Sequence, residues 1–228
     1  MIKIKGLKKS FYMGEEEIKA IDNIDFFVKK GEYVSIIGPS GSGKSTLMNI
    51  LGLLDTSDSG EYLLDGLNVS SLTDSEQAKI RNQKIGFVFQ NFNLLSKLTA
   101  WENVAVPLIY RGISSKEFKK LAYEYLEKVG LKGREKHLPK QLSGGQQQRV
   151  AIARALVGKP EIILADEPIG ALDSKTSIEI IDMIRKLNEE GQTIILITHD
   201  SNVASKAKRI VRIADGRLTE EGGCENNG

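Results

Sequence analysis

Eight consecutive residues, Gly38-Pro39-Ser40-Gly41-Ser42-Gly43-Lys44-Ser45, meet the spacing G-x-x-x-x-G-K-[ST] at every fixed position. Gly38 and Gly43 allow a tight turn whose N–H groups point inward, which makes a concave site for phosphate oxygens. Lys44 is placed to bridge the β- and γ-phosphates of a nucleoside triphosphate, and the Ser45 hydroxyl suits Mg²⁺. Thr46 either bonds a phosphate or supports the first turn of the helix that follows. The apolar run EYVSIIG precedes the loop and TLMNILGLL follows it. Strand, loop and helix in that order are the context in which the motif holds a triphosphate, with the helix N-terminus adding its positive end.

Three further runs carry polar groups at the ends of apolar, strand-like segments. Ile162-Ile-Leu-Ala-Asp166-Glu167 ends in two carboxylates. Asp166 suits Mg²⁺, usually through water, and Glu167 can polarise an attacking water as a general base. TIILIT ends at His199, which can hydrogen-bond a γ-phosphate, and IGFVFQ ends at Gln90, whose amide oxygen suits Mg²⁺ or the attacking water. A turn, a structural histidine and an ordinary exposed amide are the plain alternatives, and the complete phosphate loop weighs against them. His137, in the polar run KGREKHLPK, is expected to be a simple exposed side chain.

A second anion site is indicated at Leu142-Ser143-Gly144-Gly145-Gln146, which leads into the helix-forming run QQRVAIARAL. Ser143 is a natural N-cap, and the two glycines leave backbone N–H groups open to a phosphate. A capped helix after a glycine turn is the plain alternative. One triphosphate does not need two phosphate-binding helix ends, so the chain either folds them together or lends one to a neighbour. The residues alone do not choose.

The elements that must position these groups are legible as patterns. Before residue 70 the runs IKIKGLKKSFY, IKAIDNIDFFV and EYVSIIG favour strands, and EYLLDGLNV reads as a hairpin. Phe118, Leu121, Ala122, Tyr125, Leu126 and Val129 recur at helical spacing, which predicts an amphipathic helix over 114–129. After Pro160 the order is strand, helix (174–188), strand, helix, strand, which predicts right-handed crossovers in a largely parallel sheet. The expected class is α/β: a P-loop nucleotide-hydrolase core, an antiparallel β subdomain near the N-terminus and an inserted helical subdomain. All of it forms one domain over 1–228, with core and β subdomain at about 1–90 and 160–220, the helical subdomain at about 91–159 and a disordered tail from about 220.

Composition narrows the function. Lys and Arg number 32 against 30 Asp and Glu, so no global field marks a nucleic-acid binder and none is expected as partner. The one cysteine, Cys224, excludes an intramolecular disulfide and fits a reducing compartment. No run reaches the roughly 18 apolar residues of a spanning helix, so any membrane role calls for a separate protein with spans.

The phosphate loop, Gln90, LSGGQ at 142–146, Asp166-Glu167, Ala171-Leu172-Asp173 and His199 together resemble the ABC-type ATPases in order and spacing, over nearly the whole chain. That resemblance implies an ATPase with ATP and Mg²⁺ as ligands. It implies an ATP-dependent homodimer in which Ser143, Gly144, Gly145 and Gln146 of one chain close over ATP held by Lys44 of the other, with Asp173 joining the two sites. Phe11 falls where the family stacks an aromatic ring on adenine, with Tyr12 as the other candidate and a simple edge-strand aromatic as the plain alternative. The stretch FNLLSKLTAWENVAVPLIYRG resembles the subgroup serving lipoprotein release, macrolide and antimicrobial-peptide export, and cell division. It implies an integral membrane permease as partner and a place on the cytoplasmic face of the membrane. The same stretch holds more apolar and aromatic residues than a surface loop needs, which favours docking of a short permease helix near Phe92, Leu94 and Leu95, with Val104 and Leu108 packed inside. Ile169 departs from that subgroup's usual threonine. A soluble non-transport ATPase, as in iron–sulfur cluster assembly, and mechanical transmission to an extracytoplasmic enzyme stay open as alternatives. A P-loop kinase leaves LSGGQ unexplained. The cargo is not encoded in these residues.

Overall fold

The structure is a computed structural model that describes residues 1–221. Cys224 and most of the tail expected from about 220 lie outside the described residues. The described residues divide into two compact units, one of residues 1–78 and 188–221 and the other of residues 79–187.

In the first unit, β1 (Ile2–Met13) and β2 (Glu16–Val28) form a long antiparallel hairpin, and β4 (Ser59–Leu64) and β5 (Leu67–Asn68) extend that sheet in the order β2-β1-β4-β5. Alternation drives it: Ile21, Ile24, Phe26 and Val28 of β2 are buried while Asp25 and Phe27 face out. The expected hairpin at EYLLDGLNV is present, its turn made by Asp65 and Gly66, both at positive φ. A second set of strands runs in the order β10-β9-β3-β8, made of β3 (Tyr33–Ile37), β8 (Thr193–Thr198), β9 (Arg209–Ala214) and β10 (Arg217–Glu221). β3 lies parallel to both β8 and β9, and every residue of β3 and β8 is buried. Continuous burial on both faces is why these strands read as unbroken apolar runs. Helix α1 (Lys44–Leu51) buries Leu47, Met48, Ile50 and Leu51, and the helix expected between β8 and β9 is α7 (Ser201–Ala204), one short turn.

In the second unit β6 (Ile85–Phe89) and β7 (Ile162–Asp166) are parallel partners. Helices α3 (Ala100–Ile109), α4 (Ser115–Lys128) and α5 (Gly144–Leu156) pack through Val104, Leu108, Ala122, Leu126, Val150 and Ile152, all nearly inaccessible. Each such side chain stabilises the unit by roughly 1.5–3 kcal/mol for the larger aliphatics. The expected helix at 114–129 is α4, with Ser114 as N-cap and Val129 as C-cap. Two further helices, α2 (Asp74–Lys84) and α6 (Ser174–Glu189), each begin in one unit and end in the other. α2 gave no periodic signal because only Gln77 in it is buried, and α3 gave none because it is apolar almost all round.

Candidate functional site

The predicted site residues fall into two groups, one in each unit. In the first unit the phosphate loop leaves β3 and enters α1, and two of its glycines are fixed by space. A Cβ on Gly38 would stand 2.2 Å from the Ile213 carbonyl oxygen, and one on Gly43, at φ 102°, would stand 2.2 Å from that of Ala20. No other residue fits either place without moving backbone. Gly43 is the N-cap of α1, and no side chain caps this helix nor does an acidic residue sit in its first turn. Its end is therefore left electropositive for an anion. The Lys44 ammonium lies over the loop, donating to the carbonyls of Gly38 (2.8 Å) and Pro39 (2.7 Å). Pro39, Ser40, Gly41 and Ser45 are exposed, Thr46 is half-buried, and Ser42 is buried with its hydroxyl lacking a partner among the described residues.

His199 belongs to the same edge of these strands. Ile37 pairs with Thr198 in parallel register, so Gly38 and His199 both leave the sheet just past one rung. The turn is pinned on either side of His199: the Thr198 hydroxyl accepts from the Asp200 N–H (3.1 Å), and the Asp200 carboxylate accepts from Asn202 (2.8 Å) to start α7. Phe11 stands exposed near the tip of the β1–β2 hairpin, as does Tyr12. Lys9 lies 5.6 Å from the Phe11 ring centroid and is itself tied to Asp55 at 3.1 Å.

In the second unit the same arrangement recurs. Phe89 pairs with Asp166, so Gln90 and Glu167 both follow one rung at the C-terminal edge of β6 and β7. Glu167 adopts φ 44°, a left-handed conformation that costs a residue with a Cβ of order 1 kcal/mol and persists only where the surroundings impose it. Its carbonyl closes a turn with the Gly170 N–H (3.0 Å). The Gln90 amide lies against that turn, since a Cβ on Gly170 would be 2.6 Å from Gln90 Nε2. Gln90 and the segment after Glu167 are thus brought together.

The Leu142–Gln146 segment begins α5 as expected. Ser143 Oγ accepts from the Gln146 N–H (3.3 Å), and the Gln146 side-chain oxygen accepts from the Ser143 N–H (3.0 Å), a reciprocal cap. Gly144 is half-buried near Leu172 and the ring of Phe92, whereas Gly145 is buried so closely on Thr176 of α6 that a Cβ would reach within 2.2 Å. The expectation that both glycines serve to expose backbone is therefore modified, because packing also requires Gly145. Asp173 caps α6. The Thr176 hydroxyl and its N–H (3.0 Å) hold the Asp173 carboxyl below the usual carboxylate range.

Val104 and Leu108 are buried, and Leu95 is about half exposed. His137 is half-buried beside Arg134 at 3.1 Å, not the simple exposed side chain expected.

Residues not singled out from sequence hold these loops. Asn103, fully buried, accepts from the Leu95 N–H (2.7 Å) and donates to the carbonyls of Leu95, Leu98 and Thr99. From α5, Arg154 donates to the carbonyls of Phe92 (2.8 Å) and Asn93 (2.6 Å), both left-handed residues, and Gln148 donates to those of Phe89 (3.4 Å) and Pro168 (2.5 Å). Burial holds the Arg154 guanidinium below its ordinary pKa. A signal for Gln148 existed: it falls in helical register with Ala151, Ile152 and Ala155, all buried, so an amide stands on a core face. Among the described residues no cluster of three or more His, Cys, Asp or Glu side chains is placed to hold a metal ion. Mg²⁺ needs no such cluster, because it takes one or two protein oxygens beside phosphates and waters.

Residues 21–170 match the family model described as ABC transporter. The chain is 54% identical to the ABC transporter ATP-binding protein YknY of Bacillus subtilis (strain 168), over 96% of this chain and 95% of that protein. It is 52% identical to the macrolide export ATP-binding/permease protein MacB of Mannheimia succiniciproducens, over 97% of this chain but only 34% of that protein's length. A solved dimeric structure of the ATP-binding cassette MJ0796, in a post-hydrolysis state bound to ADP and Pi, superposes with a TM-score of 0.89 at 51% identity, covering 97% of this chain and 98% of that one.

Proposed function

The chain belongs to the ABC transporter family, and from that membership and the anatomy of its phosphate loop we propose how its residues bind and hydrolyse ATP. It is the ATP-binding, ATP-hydrolysing component of a transporter, working with a membrane permease. The single observation that carries the reading is the start of α1, where Gly38 and Gly43 are dictated by backbone contact, no side chain caps the helix and Lys44 lies over the loop.

Lys44 and the N–H groups of residues 38–46 take the triphosphate, while Phe11, with Tyr12 as the alternative, stacks on adenine. Mg²⁺ would be held by the oxygens of Ser45, Gln90 and Asp166, and when bound it neutralises charge on the β- and γ-phosphates. Glu167 polarises the attacking water and His199 holds the γ-phosphate. The left-handed backbone of Glu167 supports this role, since strain of that kind collects at catalytic positions. Ser143, Gly144, Gly145 and Gln146 serve ATP bound by a second copy, and Asp173 links the two sites. Binding closes the pair, and loss of the γ-phosphate contacts reopens it.

No helix of the described residues is long and apolar enough to cross a membrane. We place the chain peripherally on the cytoplasmic face, held by a permease that takes the segment around Leu94 and Leu95. Export or release of a lipoprotein, peptide or drug is the cargo class we assign, and the macrolide-export relative supports the drug among these.

The test uses two loss-of-function variants. Lys44→Ala weakens nucleotide binding by the monomer, whereas Ser143→Arg leaves it intact and abolishes closure. Mixing the two restores part of the ATPase activity, because one intact phosphate loop then meets one intact LSGGQ. Weakened binding by Ser143→Arg at concentrations too low for dimers would overturn the assignment between chains.

A further inference from the structure

The mechanism above uses Gln90 and Glu167 but leaves open what places them together. Both sit at the ends of β6 and β7, and Glu167 occupies a backbone conformation it would not choose alone. The Gln148 side chain touches both strand ends. Its Nε2 donates to the carbonyl of Phe89, the residue before Gln90, and to that of Pro168, the residue after Glu167. The orientation of the amide is fixed, because the flipped form would set its oxygen against two carbonyl oxygens.

Gln148 has no exposed surface, and its Oε1 has no hydrogen-bond partner among the described residues. Packing alone gives no reason for an amide here, since its helical neighbours Ala151, Ile152 and Ala155 fill the same face with apolar groups. Burying an amide whose oxygen stays unpaired opposes folding, so the two donated bonds are what favour it. Gln148 belongs to α5, the helix that Ser143 caps, and α5 lies tight on β6: a Cβ on Gly86 would stand 2.5 Å from the Ala155 carbonyl oxygen. Farther along, Arg154 holds the carbonyls of Phe92 and Asn93.

We infer that Gln148 is a positioning residue, through which the helix beginning at the LSGGQ segment sets the placement of Gln90 and Glu167 as a pair. Displacement of α5 then moves the Gln90 amide and the base together, so engagement of Ser143 by a second copy's nucleotide and alignment of the water become one event. The inference rests on the roles assigned above to Gln90 and Glu167.

Gln148→Met keeps the length and nearly the volume of the side chain and removes both donors. In the purified full chain, with activity normalised to the stoichiometry of mant-ATP binding, kcat is expected to fall roughly ten- to hundredfold, the effect of misplacing a reacting group by about an ångström. KM for ATP stays within about twofold, because the phosphate loop is untouched. In single-turnover measurements on Glu167→Gln the same replacement adds little further loss, since it acts through the group already removed. A kcat within about twofold of wild type, or a change in KM alone, would overturn the inference whatever the melting temperature. Should the Met variant not fold, Gln148→Asn, which keeps the amide but shortens its reach, is read by the same criteria. Wild-type turnover by Glu167→Gln would instead sink the parent reading, so the two failures are distinguishable.

Discussion

The phosphate loop at 38–46 and the loops that follow β6 and β7 both present polar groups at strand ends, yet they are held in shape by different means. The first is shaped by backbone. Gly38 and Gly43 sit where a carbonyl oxygen occupies the space of a side chain, and Lys44 bonds two carbonyls of its own loop. The second is tethered by side chains of helices α3 and α5. Gln148, Arg154 and Asn103 hold carbonyls at 89, 92, 93, 95, 98, 99 and 168, and the loops contain three left-handed residues with Cβ atoms, Phe92, Asn93 and Glu167. A backbone-built cradle is fixed before ligand arrives, whereas a tethered loop moves when its tether moves. That difference matches their tasks, binding in one case and timed chemistry in the other.

The backbone-built half is the easier to break. Gly43→Ala places a methyl against the Ala20 carbonyl and forces a left-handed residue, two effects of about 1–3 kcal/mol each. Mant-ATP affinity is expected to fall at least about thirtyfold, at 1.4 kcal/mol per factor of ten. Retained affinity would mean that the loop is looser than its contacts indicate.

The same contrast explains what could be read without the fold. A tight backbone approach demands glycine at fixed offsets, and Gly38, Gly43 and Lys44 are adjacent in sequence, so the cradle was legible as a motif. Asp166-Glu167, Gln90 and His199 were legible as the polar ends of buried strands. The tethers were not, because Gln148 meets Phe89 across 59 positions and nothing local to either announces the other. The polar helix α2 was missed for want of an apolar face, and a caps-based reading of Gly145 left out its packing on Thr176.

The tethered half predicts a smaller effect of a different kind. Arg154→Met removes a charged donor from the carbonyls of Phe92 and Asn93, which is expected to destabilise the chain by about 2–3 kcal/mol, read from the urea midpoint at unchanged slope. Mant-ATP affinity should change by less than about threefold. Loss of affinity comparable to that of Gly43→Ala would erase the distinction between the two halves.

Smallest is the cap of α3, which follows the tethered loop. The Thr99 hydroxyl donates to Glu102 (2.6 Å) and the Thr99 N–H does so at 2.8 Å, and these bonds hold the Glu102 carboxyl below its ordinary value. Thr99→Ala is expected to cost about 1 kcal/mol at neutral pH. Because the folded carboxyl titrates below the unfolded one, its stabilising contribution is complete above the unfolded value and disappears as pH falls through the folded one. The penalty of the variant should therefore shrink on acidification below about pH 4, near the unfolded glutamate value. A penalty independent of pH would show that the carboxylate takes no part in the cap.

The most direct test of the account is the turnover of Glu167→Gln, which keeps shape and hydrogen bonding while removing the base. Phosphate release by the purified chain with Mg²⁺ and ATP should fall about 10²- to 10⁴-fold. Mant-ATP binding should survive, and an ATP-dependent dimer should accumulate in size-exclusion chromatography because hydrolysis no longer reopens it. Turnover at the wild-type rate, with no trapped dimer, would contradict it.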